Sequence, residues 1–97
     1  MYELKSLTID FQQMSLILKN GEKKQLGLKD FKVLQLLIDK SPEVLSRDEI
    51  LNKVWGEDQF PTSRTVDNCI LRLRQALGGD YIKSIRAVGY QWQEESE

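Results

Sequence analysis

Between Ser63 and Leu77 the chain carries residue types that hold and read a nucleic-acid duplex, at a spacing that would set them on one side of a helix. A helix advances about 100° per residue, so Val66, Ile70, Leu73 and Leu77 fall on one side while Arg64, Asn68, Arg72 and Gln75 lie roughly opposite. Arginine grips guanine bidentately, asparagine and glutamine grip adenine, and any arginine pairs with phosphate. An outward row of charges is equally the solvated face of an ordinary helix. The choice rests on the elements that would position it.

Upstream, Ser46 is followed three residues later by Glu49, just before Ile50, Leu51, Val54 and Trp55 at helical spacing, which predicts a capping box opening a short helix. Downstream, 81–86 alternates and Tyr90-Gln91-Trp92 follows Gly89, which predicts a β-hairpin turning near the glycine with Arg86 at its tip. The connector from Gly56 to Ser63 is longer than a simple helix-turn-helix turn. Farther upstream, Leu28 to about Ser41 reads as a first helix with Phe31, Leu34, Leu37 and Ile38 toward the core, stopped by Pro42. The segments Leu7 to Phe11, Ser15 to Lys19 and Glu22 to Leu26 read as antiparallel strands, the last two joined by an Asn20-Gly21 turn. These elements make an α+β domain: a sheet over 1–26, three helices within 28–77, a hairpin wing over 81–92 and an acidic tail over 93–97, one domain over 1–97.

A helix, a connector, a second basic helix and a basic hairpin form a helix-turn-helix with a wing, and here the sequence resembles a known family. Leu28-Lys29-Asp30-Phe31-Lys32-Val33-Leu34, Leu45-Ser46-Arg47-Asp48-Glu49-Ile50-Leu51, Val54-Trp55-Gly56, Ser63-Arg64-Thr65-Val66-Asp67, Ile70, Arg72-Leu73-Arg74, Ile85-Arg86 and Val88-Gly89-Tyr90 occur in the expected order. Together they resemble the winged-helix DNA-binding domain of OmpR/PhoB-type response regulators, the effector half of bacterial two-component systems. The resemblance implies double-stranded DNA as partner, a recognition helix in the major groove, and a dimer on tandem half-sites assisted by a receiver domain.

The resemblance also implies roles for individual residues. Asn68 and Arg72 are expected to contact bases, and Arg47, Trp55, Arg64, Thr65, Arg74 and Ser84 the phosphate backbone. Trp55 has an apolar body for which core packing is the ordinary explanation, and both roles can coexist. Arg86 is expected in the minor groove, which favours arginine where A·T-rich sequence narrows it. Asp67 either accepts from a cytosine or holds Arg64 or Arg74 in place. Glu57, Asp58, Gln59 and Phe60 form the loop through which the family contacts RNA polymerase; a loop that only closes the gap, with Phe60 on the core, fits equally well.

Departures from the family pattern matter too. Gly27-Leu28 stands where the family has a Thr-Pro helix start, so a weaker helix start is expected. Leu71, Gln75 and Ala76 replace cations, which lowers the expected backbone affinity; Leu71 meets either a thymine methyl or a neighbouring protomer. Cys69, at the edge of the apolar stripe, is expected to be a partly buried small hydrophobe in place of a backbone contact.

Net charge is −1 over 97 residues, which sits poorly with nucleic-acid binding until its distribution is considered. From Ser63 to Trp92 the five cations Arg64, Arg72, Arg74, Lys83 and Arg86 face only Asp67 and Asp80, a local balance of +3. One cysteine excludes an internal disulfide, and a chain without histidine lacks the usual zinc ligands, so no metal and no cofactor are expected. There is no nucleophile–base pair at useful spacing and no phosphate-cradling glycine loop, which argues against an enzyme. With no long apolar run and no leader-like start, a cytoplasmic protein without membrane contact is expected. The alternative to a DNA binder is a winged-helix module for protein contacts with little DNA affinity, using Leu71, Phe60 and the acidic loop.

Overall fold

The computed structural model describes residues 1–56 and 62–93. Four short strands, β1 (Tyr2–Glu3), β2 (Leu7–Asp10), β3 (Ser15–Leu18) and β4 (Lys23–Gln25), form an antiparallel sheet in sequence order. Side-chain chemistry sets its turns. Asp10 accepts the backbone N–H groups of Gln12 and Gln13 at 3.0 and 3.1 Å, folding β2 back onto β3. Asn20 accepts from the N–H of Glu22 at 2.8 Å, and Gly21 takes φ 89°, as the Asn-Gly pair predicts. The sequence reading missed β1, whose two residues are too short to show an alternating pattern.

The first helix, α1 (Leu28–Lys40), buries Phe31, Val33, Leu34 and Leu37. Val33 joins the expected stripe, and Ile38, partly buried, packs against the core as expected. Gly27 precedes the helix without a side-chain cap, the weaker start expected from the missing Thr-Pro pair. The predicted capping box is present: Ser46 Oγ accepts from the N–H of Glu49 at 3.1 Å, and Glu49 Oε1 accepts from the N–H of Ser46 at 3.3 Å. It opens α2 (Arg47–Ile50), which runs into a π-helical turn over Leu51–Trp55 closed by a Gly56 N–H bond to the Leu51 carbonyl. Lys29 caps this end by donating from Nζ to the Val54 carbonyl at 3.1 Å.

Helix α3 (Ser63–Leu77) buries Val66, Ile70, Leu73 and Leu77 as its spacing predicts, and ends on Gly78 at φ 72°. Cys69 corrects the expectation of partial burial: it is fully enclosed, and burial pushes its thiol pKa up, which removes it from redox or ligand chemistry.

The chain closes with a second sheet, β5 (Leu45–Ser46), β7 (Gly89–Trp92) and β6 (Ile82–Ile85), in the order β5-β7-β6. Here the turn expected near Gly89 lies earlier, at Arg86-Ala87-Val88, with Ala87 taking φ 64° and the N–H of Val88 bonding the Ile85 carbonyl. Gly89 serves another purpose. It pairs with Ser46, and a Cβ there would lie 1.9 Å from the Leu45 carbonyl oxygen, so only glycine lets β5 approach. The two sheets share one core, where Tyr81 stacks on Trp92 at 5.4 Å and the Tyr81 hydroxyl bonds Ser6 at 2.7 Å. Each aliphatic side chain buried in that core stabilises by roughly 1.5–3 kcal/mol. Among the described residues, no helix is long and apolar enough to cross a membrane.

Candidate nucleic-acid interface

With Val66, Ile70, Leu73 and Leu77 inward, the face of α3 farthest from the core is the row Arg64, Asn68, Leu71 and Gln75, at i, i+4, i+7 and i+11. All four are exposed; Leu71 keeps 54% of its surface in solvent. Among the described residues, Arg64, Asn68 and Gln75 have no side-chain partner. Leu71, whose spacing allows an outward or a flanking place, is part of the outward row.

Arg72 stands elsewhere than expected. It lies on the flank facing α1, where Nε donates to Asp30 Oδ2 and Nη2 to Asp30 Oδ1, both at 2.8 Å. This bridge joins residues 42 positions apart. The hydrogen bond from Arg72 outweighs partial burial and holds the Asp30 carboxyl below its ordinary range. Sequence reasoning did not single out Asp30; its place in the first turn of α1, an ordinary site for an acid, gives no sign of a partner on another helix.

The opposite flank of α3 faces the wing and carries a network. Asp67 Oδ1 accepts from the Tyr90 hydroxyl at 2.6 Å and from Arg47 Nε at 2.7 Å, and these two bonds hold the carboxyl below its usual range. The side chains that Asp67 holds are Arg47 and Tyr90 in place of the expected Arg64 or Arg74. The guanidiniums of Arg47 and Arg74 lie over the Tyr90 ring, 5.5 and 5.7 Å from its centroid. Arg74 Nη2 also donates to the Ile82 carbonyl at 2.9 Å and to Ser84 Oγ at 2.7 Å. Burial first, then the bond to Asp67, raises the Tyr90 pKa, so the phenol stays protonated as the donor. The structure thus gathers Arg47, Arg74 and Ser84 into one cluster with Asp67 and Tyr90. Tyr90 was missed because an aromatic residue in a strand reads simply as core.

The remaining expected contacts are scattered around this cluster. Thr65, half-buried in the first turn of α3, accepts from the N–H of Thr62 at 3.3 Å and keeps its own hydroxyl proton to donate. Trp55 ends the π-helical turn with its body against the core and part of its surface exposed. Arg86, on the hairpin turn, is exposed and has no partner among the described residues. Glu57, Asp58, Gln59 and Phe60 lie outside the described residues.

Comparison with known proteins fits this geometry. Residues 21–92 match the family described as "Transcriptional regulatory protein, C terminal". The transcriptional regulatory protein VxrB of Vibrio cholerae is 44% identical over 85 residues, which cover 88% of this chain and 34% of that protein. The DNA-binding domain of Bacillus subtilis CssR superposes with a TM-score of 0.82 at 33% identity, covering 91% of this chain and 100% of that one. The DNA-binding domain of Klebsiella pneumoniae RstA, solved in complex with the RstA box, superposes at 0.74 with 31% identity over 94% of each chain. The chain spans about a third of the length of VxrB. It has the winged helix-turn-helix fold of response-regulator DNA-binding domains, and it belongs to the family of C-terminal domains of transcriptional regulatory proteins.

Proposed function

We propose that this chain binds double-stranded DNA sequence-specifically and regulates transcription as the effector part of a response regulator. The observation that carries the reading is the row Arg64, Asn68, Leu71 and Gln75, which stands free of the fold while both flanks of the same helix are tied down. Such a ridge fits the major groove: the amide of Asn68 suits adenine, and Arg64, near the helix N-terminus, suits a phosphate. Arg72 contacts a base from the α1 flank. On the other flank, Arg47 keeps both of its Nη groups for phosphate after giving Nε to Asp67. Ser84, which accepts from Arg74, still has a proton to donate, and Arg74, Thr65 and Trp55 complete the backbone contacts. Arg86 on the hairpin turn enters the minor groove.

The whole chain works as one unit, because Leu7, Ile9 and Leu16 of the first sheet lie in the core shared with α1 and α3 although the family match begins at residue 21. In a longer protein a receiver domain would bring two copies onto half-sites about one helical turn apart, and the 57–60 loop would meet RNA polymerase. The protein acts in the cytoplasm, on DNA, without catalysis.

Selection of duplexes from a random pool, followed by fluorescence anisotropy on the enriched site, tests the reading. Asn68→Ala is expected to cost about 1–3 kcal/mol on that site and to relax one base preference, whereas Arg64→Ala weakens all sequences alike and lowers the salt slope by about one. Absence of enrichment, with no binding to random duplex at tens of micromolar and low salt, overturns it. The exposed Leu71 would then favour a surface for protein contacts.

A further inference from the structure

The Asp30–Arg72 bridge differs from an ordinary surface ion pair in its geometry. A guanidinium has five N–H donors on a rigid plane, arranged as two edges that each accommodate a pair of acceptors, one formed by Nε and Nη2 and the other by Nη1 and Nη2. Asp30 fills the first edge with two bonds of 2.8 Å. The second edge keeps Nη1, which has no partner among the described residues. The burial of the two side chains is unequal, with Arg72 56% exposed and Asp30 14% exposed. The carboxylate is therefore the fixed member, set in the first turn of α1, and the arginine head is the member presented to solvent one helical turn after Asn68.

We propose that Asp30 is a positioning residue for base recognition: by holding one edge of the Arg72 guanidinium, it aims the other edge at a guanine. The inference rests on the reading that α3 enters the major groove. An arginine that meets a base from free solution must freeze several rotatable bonds, and one already clamped has lost that freedom on folding. The guanine acceptors O6 and N7 match the free edge as a carboxylate matches the occupied one. Because its charge is already shared with Asp30, Arg72 adds little to sequence-independent attraction, and its contribution is to discrimination.

The test uses the duplex enriched from the random pool and versions of it in which each guanine in turn is replaced by 7-deazaguanine, which lacks the N7 acceptor. One guanine is expected to be sensitive in the parent protein, with affinity falling about fivefold to a hundredfold, and Arg72→Ala is expected to erase that sensitivity. Asp30→Asn should erase most of the same ratio while leaving binding to random duplex equal or stronger, since the protein gains one positive charge. Asp30→Glu, which keeps the charge on a longer arm, should give an intermediate ratio, and it carries the test if Asp30→Asn fails to fold. A purely structural clamp would instead lower the melting temperature and weaken every duplex alike, with the 7-deazaguanine ratio intact. That outcome, or an enriched site at which Arg72→Ala leaves guanine sensitivity unchanged, overturns the proposal while DNA binding stands; a failure to enrich any duplex removes the proposed function itself.

Discussion

The two flanks of α3 are restrained by different means. On the side of α1, among the described residues, Asp30 is joined to Arg72 through two parallel bonds. On the side of the wing, Asp67, Arg47, Arg74, Tyr90 and Ser84 share bonds and ring contacts across four elements. A two-residue clamp can be undone by one substitution. A network loses one bond at a time, but a residue at its centre leaves several partners unsatisfied when removed. The α1 flank is therefore suited to aiming one side chain, and the wing flank to fixing the hairpin relative to the helix that it accompanies.

The largest expected effect lies on the wing side, beneath the network. Gly89→Ala places a methyl 1.9 Å from the Leu45 carbonyl, so β5 must separate from β7, at a cost of about 3 kcal/mol in thermal or denaturant unfolding. A melting temperature unchanged from the parent would show that the β5–β7 approach is not a constraint. Next comes Asp67→Ala, which strips the Tyr90 hydroxyl and Arg47 of their shared acceptor; the site is partly exposed, so about 1–2 kcal/mol is expected. Asp67→Ala should also loosen the wing, read as faster amide exchange at Ser84 and Tyr90, whereas Asp30→Ala should leave those amides alone. Equal exchange in the two variants would erase the distinction between the flanks.

The smallest effect is in the dependence on pH. Asp30 and Asp67 both have pKa values lowered in the folded protein, by the bond from Arg72 and by the bonds from Tyr90 and Arg47 respectively. A carboxyl of this kind contributes stability that is fully present above its unfolded pKa near 4 and is lost as pH falls through the lower folded value. Stability should thus fall on acidification below about pH 4, and Asp30→Asn or Asp67→Asn should each flatten that limb. Unfolding curves at pH 7 and pH 3 measure it; a parent protein equally stable at both would contradict the ion pairing on both sides.

Much of this architecture was legible from local pattern. The apolar stripe of α3, the Ser46–Glu49 capping box, the Asn20-Gly21 turn and the wing strands follow from periodicity and turn chemistry, which act within a few residues. Less accessible was the exact outward row. A helical wheel places Arg72 and Leu71 at similar distances from the apolar stripe, and only the position of Asp30 on another helix decides that Arg72 turns aside and Leu71 stays out. Gly89 misled for a related reason: a glycine in a hairpin signals a turn locally, while its use against Leu45 depends on a strand 44 residues away.

The sequence by itself determined which helix would face outward, which residue types it would offer, and that the segment from Ser63 to Trp92 would carry a net positive balance, because these depend on spacing and composition alone. Tertiary structure decided which of those cations are free and which are held. Whether an arginine is held depends on the acceptors that distant segments bring beside it, and Asp30, Asp67, Tyr90 and the Ile82 carbonyl reach their places only when the core has closed.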